Sequence, residues 1–263
     1  MAQAVDMFVL GRRILLPLAL AAAFLAFWEF GTRAAHISTM IVVPPSAVWQ
    51  VIQASFNILL QQSIPTVVET VTGFATASLI GIIIGVGIVL SRRLRQAIYP
   101  HILLFQLIPK VALAPLFIVW FGVGSTSRLT LAVFIAFFPV VIATATGLMS
   151  ADRHVVRMAA AAMASPWQVF RHVRVPYALP HVFAGLKVAL TMAIIGVIVG
   201  EFVTAQAGLG YIIMMASSSA ETALVFAAIV LLCAAGLVLY GIVALAELAI
   251  ERRLGVSVTT SEF

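Results

Sequence analysis

Residues 223–249 read ALVFAAIVLLCAAGLVLYGIVALAELA, and no charge interrupts them before Glu247. A spanning helix needs about 20 mostly apolar residues to cross a hydrocarbon core of about 30 Å, so this run is long enough by itself. Lipid offers no partner for backbone N–H and C=O groups, which makes the run helical. Further runs of the same kind lie at 14–30, 67–90, 97–121, 129–149 and 179–201. Valine and isoleucine are common in them, but none shows the strict alternation of a barrel strand. The expected fold class is an all-α membrane protein with six transmembrane helices.

Composition agrees. The chain has 263 residues, 63% hydrophobic and 9% charged, with a mean hydropathy of +1.17. A soluble domain carries about 25% charged residues. The balance excludes an ordinary water-soluble enzyme, a disordered chain and a nucleic-acid binder. The pI of about 10.2 therefore bears on which side of a membrane the arginines occupy. With the N-terminus inside, the inner segments hold Arg12, Arg13, Arg92, Arg93, Arg95, Arg153, Arg157, Arg171, Arg174, Arg252 and Arg253. The outer segments hold Arg33 and Arg128, while Lys110 and Lys187 fall within spans. The positive-inside rule then places both termini in the cytoplasm.

The first run follows Arg12 and Arg13 as a signal peptide would. Its apolar stretch continues through Trp28, past any plausible cleavage point, so an uncleaved helix is expected. The longest non-spanning pieces, 31–66 outside and 150–178 inside, are too short to enclose cores of their own. The expected organisation is a single transmembrane domain over 1–263. The lone Cys233 forms no disulfide within the chain.

The inner segment 150–178 is the most informative for mechanism. Asp152-Arg153-His154 opens it, and an alanine-rich helical run extends from Met158 to Ala164. Ser165-Pro166-Trp167-Gln168 then starts a second helix: Ser165 is a good N-cap, Pro166 suits the first helical position and Gln168 completes a capping box. Pro176 is expected to end that helix near Arg174. Trp167 and Phe170, three residues apart, share one face. Such a pair suits a partner's hydrophobic groove; it equally suits the lipid headgroup layer.

Met158-Ala159-Ala160-Ala161-Ala162-Met163-Ala164-Ser165-Pro166-Trp167-Gln168-Val169-Phe170, followed by Val175-Pro176-Tyr177-Ala178-Leu179-Pro180, resembles the cytoplasmic coupling loop of binding-protein-dependent ABC importer permeases. Other motifs resemble the sulfonate/nitrate/taurine type of that family. They are Val43-Pro44-Pro45-Ser46-Ala47-Val48-Trp49, then Ile108-Pro109-Lys110-Val111-Ala112-Leu113-Ala114-Pro115-Leu116 with Trp120-Phe121-Gly122, Phe137-Phe138-Pro139 and Gly208-Leu209-Gly210-Tyr211. They run in order from about Pro44 to Arg253. Two positions depart from the family: its acidic residue falls at Arg157 and its turn glycine at Met163, where a side chain makes φ > 0 more costly.

The resemblance implies a type I ABC importer permease fold with a cytoplasmic coupling helix, in the bacterial inner membrane. Ala159, Ala160, Ala164, Ser165, Trp167, Gln168 and Phe170 would meet the ATPase. The implied partners are two ABC ATPase subunits, a periplasmic or extracellular substrate-binding protein, a second copy of the chain and membrane lipid, with no nucleic acid. ATP and Mg would be used by the ATPase, and no cofactor is expected on this chain. The solute would be small: a sulfonate, taurine, nitrate or a related molecule.

Pathway candidates follow from the spans. Pro109 and Pro115 remove ladder hydrogen bonds, as in broken helices that line cavities or are repaired by neighbours. Lys110 between them needs a carbonyl, water or anion, or must snorkel to an interface. Gln106, Thr144 and Thr146 either face a pathway or bond neighbouring helices. On the outer side, Ser46 can cap an interfacial helix at about 45–60, and a short helix is expected at about 208–220. Glu201 and Glu221 flank the latter and either contact the binding protein or form a solvated rim.

Neither lysine completes a G-x-x-x-x-G-K-[ST] phosphate loop, so ATP chemistry is expected in a partner. No metal-ligand spacing stands out, and His36, His101, His154, His172 and His181 are scattered. The alternative reading, an ion-coupled secondary transporter or channel, predicts an intramembrane acidic relay or an inverted repeat. Neither is evident.

Overall fold

The computed structural model describes residues 2–35, 38, 40–204 and 206–254, with side chains from Leu15 to Arg253. Of the residues named above, His36 and the side chains of Arg12 and Arg13 lie outside the described set. The described residues are almost entirely helical. Five helices are long and apolar enough to cross a membrane, and a bent pair makes up to six. By contact the chain divides into two compact units, one built from residues up to Gln61 with Ile212–Val230, the other from Gln62–Tyr211 with Leu231 onward.

In the first unit, α1 (Ala2–Ala34) carries Glu29, whose carboxylate accepts from the Ser46 N–H at 2.9 Å and its hydroxyl at 2.8 Å. Ser46 therefore does not cap α2 (Pro45–Ala54) as expected: the cap position falls two residues earlier, at Pro44, and the Ser46 hydroxyl turns to Glu29. The interfacial helix expected to about residue 60 ends at Ala54. From Phe56 the chain is already in α3 (Phe56–Leu90), which runs through Pro65. The last part of α10 (Leu209–Ser218) and the start of α11 (Thr222–Leu254) complete the unit. Trp28 packs on Phe226 at 5.4 Å, and Thr222 donates to the Met40 carbonyl at 2.5 Å.

The second unit is organised around α6 (Ser125–Met149), the most buried of the spanning helices. Small residues let its neighbours approach closely, which is how helices associate where lipid removes any hydrophobic preference. A methyl group on Gly85 of α3 would lie 2.6 Å from the Thr144 Cβ, and one on Gly196 of α9 (Val175–Thr204) 2.6 Å from the Ala132 Cα. Ala77, Ala136, Val140, Ala189 and Ala193 are fully buried between these helices.

The run 97–121 is not one straight span. It forms α4 (Arg92–Leu107), a 3-10 turn over Lys110–Leu113 and α5 (Ala114–Phe121), with the two parts bent by 90°. Pro109 pushes the preceding Ile108 into an extended conformation, with ψ of 130°, and supplies no N–H. Pro115 sits in the first turn of α5, where a missing donor costs little. Phe117 of α5 packs with Leu131 and Ile135 of α6.

Candidate coupling segment and pathway residues

Between α6 and α9 lies a helix–turn–helix. Asp152 caps α7 (Arg153–Ala161) by accepting from the His154 N–H at 2.7 Å. The helix closes with the Met163 N–H donating to the Ala160 carbonyl and the Ala164 N–H to the Ala159 carbonyl, both at 3.0 Å. This is a Schellman turn, and its left-handed position is Met163, with φ of 58°. A tight turn thus forms here without glycine, built on methionine.

The second helix starts with a complete capping box. Ser165 N–H donates to Gln168 Oε1 at 2.7 Å and Gln168 N–H to Ser165 Oγ at 3.3 Å, with Pro166 in the first turn. The Trp167 and Phe170 rings stack at 5.6 Å. Trp167 is 63% exposed, Met158 72% and Met163 94%, so three large apolar side chains of this segment are open among the described residues. Phe170, Ala159 and Ala164 are half-buried, and Ala160 is exposed. Spacing predicted the aromatic pair, but the two methionines were not singled out. Arg157 spends its Nε on the Arg153 carbonyl at 3.3 Å.

Pro176 does not end this helix. α8 (Pro166–Val169) passes through a π-turn over Phe170–Arg174 into α9, and Pro166–Thr204 counts as one 39-residue stretch. The Val175 N–H reaches back to the Phe170 carbonyl, five residues away. That wider register moves the carbonyl with which the proline ring would clash, so the helix continues.

The pathway candidates separate. Gln106, Pro109 and Pro115 are exposed around the bend. Lys110 is half-buried, its Nζ 4.7 Å from the centre of the Phe138 ring on α6. Among the described residues it has no carboxylate partner, whereas Arg33, Arg128 and Lys187 pair with Glu29, Glu69 and Glu247. Thr144 sits within the packing of α3 against α6. It is 2% exposed, wedged against Gly85 because glycine leaves room for it, and its hydroxyl has no partner among the described residues. Thr146 donates to its own helix at the Ile142 carbonyl.

Glu201 also departs from expectation. It is no rim residue: it is 2% exposed. Its carboxyl accepts from the Thr66 hydroxyl and from the Gly210 N–H, each at 2.7 Å. Thr66 Oγ1 in turn accepts from the Leu209 N–H at 2.9 Å, and Gln62 accepts from the Gly208 N–H at 2.8 Å. The otherwise orphaned donors at the start of α10 are thus satisfied by α3 and α9. Gly208 has φ of 116°, and a methyl group on Gly210 would lie 2.7 Å from the Glu201 Oε2. Gln62, Thr66 and Glu69 form a polar stripe at helical spacing on α3, a signal that could have flagged the cluster. Glu221 is exposed and borders a depression of about 530 Å³ with Met40, Val43, Ala47 and Val51.

With this geometry in hand, comparison with known proteins is informative. Residues 77–252 match the family described as binding-protein-dependent transport system inner membrane component. The riboflavin transport system permease protein RibX of Chloroflexus aurantiacus is 36% identical over 232 residues, covering 87% of this chain and 86% of that protein. The taurine transport system permease protein TauC of Escherichia coli K12 is 29% identical over 84% of this chain and 82% of its own. Among solved structures, an inward-facing conformation of the MetNI methionine ABC transporter aligns with a TM-score of 0.63 at 18% identity, over 76% of this chain and 98% of that one.

Proposed function

The chain belongs to the family of binding-protein-dependent transport system inner membrane components, and from that premise we propose how its parts serve import. It is the multi-pass permease subunit of an ATP-driven ABC importer; the ATPase is a separate subunit. An ion-coupled transporter or channel is not favoured. Among the described residues, no group of three potential metal ligands is present.

In our reading, two ATPase subunits dock on the cytoplasmic face at the segment about 150–178. Ala159, Ala160, Ala164, Ser165, Trp167, Gln168 and Phe170 form the contact, and the partner uses ATP and Mg. The observation that carries this is the Trp167–Phe170 stack on a capped helix start, with Trp167 exposed, at one end of the long 166–204 stretch. At about 1.5 Å per residue that stretch is about 58 Å long, more than a bilayer core of about 30 Å requires. One end therefore projects beyond the lipid.

A second copy of the chain pairs with it in the bacterial inner membrane, both termini cytoplasmic, and the whole of 1–263 acts as one permease domain among lipid. A periplasmic or extracellular binding protein docks opposite, with Glu221 at the contact. Gln106, Pro109, Lys110 and Pro115 at the bend face the path. The names of relatives, which include permeases for aliphatic sulfonates, taurine, formylaminopyrimidine and riboflavin, support a small organic solute; nitrate rests on the sequence resemblance alone.

The test is a pull-down of the tagged chain from gently solubilised native membranes, comparing wild type with the Trp167→Ala/Phe170→Ala variant. An ATPase subunit should co-purify with wild type and be lost or weakened in the variant. Equal capture by both would remove the coupling role of the aromatic pair.

A further inference from the structure

The Trp167–Phe170 stack and Glu201 lie near opposite ends of one helical stretch, Pro166–Thr204. At the Glu201 end, the first turn of α10 is held by hydrogen bonds from Gly208, Leu209 and Gly210 to Gln62, Thr66 and Glu201, and Thr66 donates to Glu201 as well. Of these partners only Glu201 belongs to the long stretch itself. It is 2% exposed, and Gly208 and Gly210 leave no room for a side chain beside it. Loss of a carboxyl so closely enclosed would leave the Thr66 hydroxyl and the Gly210 N–H unpaired in a buried site, so the contact is costly to break.

We propose that Glu201 is a positioning residue of the import cycle. It clamps the first turn of α10 to the rod whose other end carries Trp167 and Phe170, so that movement of the coupling end is delivered to α10. The inference rests on the reading of residues 165–170 as the ATPase contact and adds where the movement arrives. A continuous helix carries an axial or rocking displacement over its full length, and the π-turn at 170–174 keeps that continuity where Pro176 would have broken it.

The test uses the permease purified with its ATPase in nanodiscs. Exposed Cys233 is replaced by alanine and Met214→Cys, 47% exposed on α10, serves as reporter. The rate of labelling by a charged maleimide is measured without nucleotide and after trapping with Mg-ATP and vanadate. In the otherwise unaltered background the rate should change several-fold between the two states. Thr66→Val and Glu201→Ala should abolish the change while still capturing a hydrolysing ATPase, and Glu201→Gln should restore it.

A nucleotide-dependent change that persists in Thr66→Val and Glu201→Ala would overturn the proposal, as would its absence from the background. Loss of ATPase capture in both variants would also overturn it, by making the cluster a requirement of assembly. A background chain that captures no ATPase at all would instead overturn the coupling reading, and this inference with it.

Discussion

Glu69 and Arg128 form a two-pronged ion pair, Nε to Oε2 at 2.8 Å and Nη2 to Oε1 at 2.5 Å, that joins α3 to the first turn of α6. Both are largely buried, and the arginine stem crosses Gly200 of α9, where a methyl group would lie 2.8 Å from its Cγ. Breaking a buried pair by removing one partner leaves an uncompensated charge and costs about 3–5 kcal/mol, whereas replacing both by apolar groups is often neutral. Arg128→Met and Glu69→Leu should each lower the melting temperature in detergent markedly, and the double variant should recover most of the loss. Additive losses in a double-mutant cycle would count against the pair as the unit of stability.

Met163 holds a left-handed conformation that a side chain disfavours by about 1–2 kcal/mol. It is 94% exposed and loses no packing on truncation. Met163→Gly should stabilise the α7–α8 turn by about 1 kcal/mol, seen as a raised threshold for proteolysis within 150–178. An unchanged or lowered threshold would show that the methionine makes a compensating contact.

The capping box at Ser165 sets the direction of the helix bearing Trp167. Ser165→Ala removes the acceptor for the Gln168 N–H and should cost about 1 kcal/mol of local stability. ATPase capture should fall, and Ser165→Asp should restore it. Full capture by Ser165→Ala would separate the cap from docking.

Gly210 faces the Glu201 carboxyl at a distance no side chain tolerates. Gly210→Ala should destabilise the chain by about 1–3 kcal/mol through overpacking, measured by thermal unfolding in detergent. Gly241→Ala, where nothing lies within 4 Å of the added carbon, provides the control and should change little.

Lys110 lacks a carboxylate partner among the described residues and leans on the Phe138 ring. A cation at membrane depth costs up to about 2.5–3.5 kcal/mol on insertion scales, more than an exposed cation–π contact of about 0.5–1 kcal/mol returns, and Lys110 sits in the turn of the bend. Lys110→Met should therefore hold or raise the melting temperature while lowering solute-dependent growth of cells that rely on the importer. A fall in melting temperature as large as that of Arg128→Met would make Lys110 structural.

Much of this was legible in the sequence because it depends on local chemistry. Long uncharged runs must be helical in lipid, so the spanning segments emerge from composition alone. The Ser165–Gln168 capping box and the Pro109 break are set by residues within a few positions of each other, and both stand in the structure. The polar stripe at Gln62, Thr66 and Glu69 was equally visible but named no partner, since periodicity says which residues share a face and not what the face meets.

What the tertiary structure decided are the fates of residues whose surroundings come from distant parts of the chain. Glu201 reads as a rim acid until Thr66 and Gly210 are seen to enclose it. Thr144 reads as either a pathway hydroxyl or a helix–helix bond until Gly85 is seen to receive it. Pro176 reads as a helix stop, yet a shift to five-residue hydrogen bonding lets the helix pass. Spanning a membrane is a requirement each helix meets through its own backbone, so sequence alone determines it. The burial of a polar side chain depends on which helix approaches and how closely, and only the packed structure decides that.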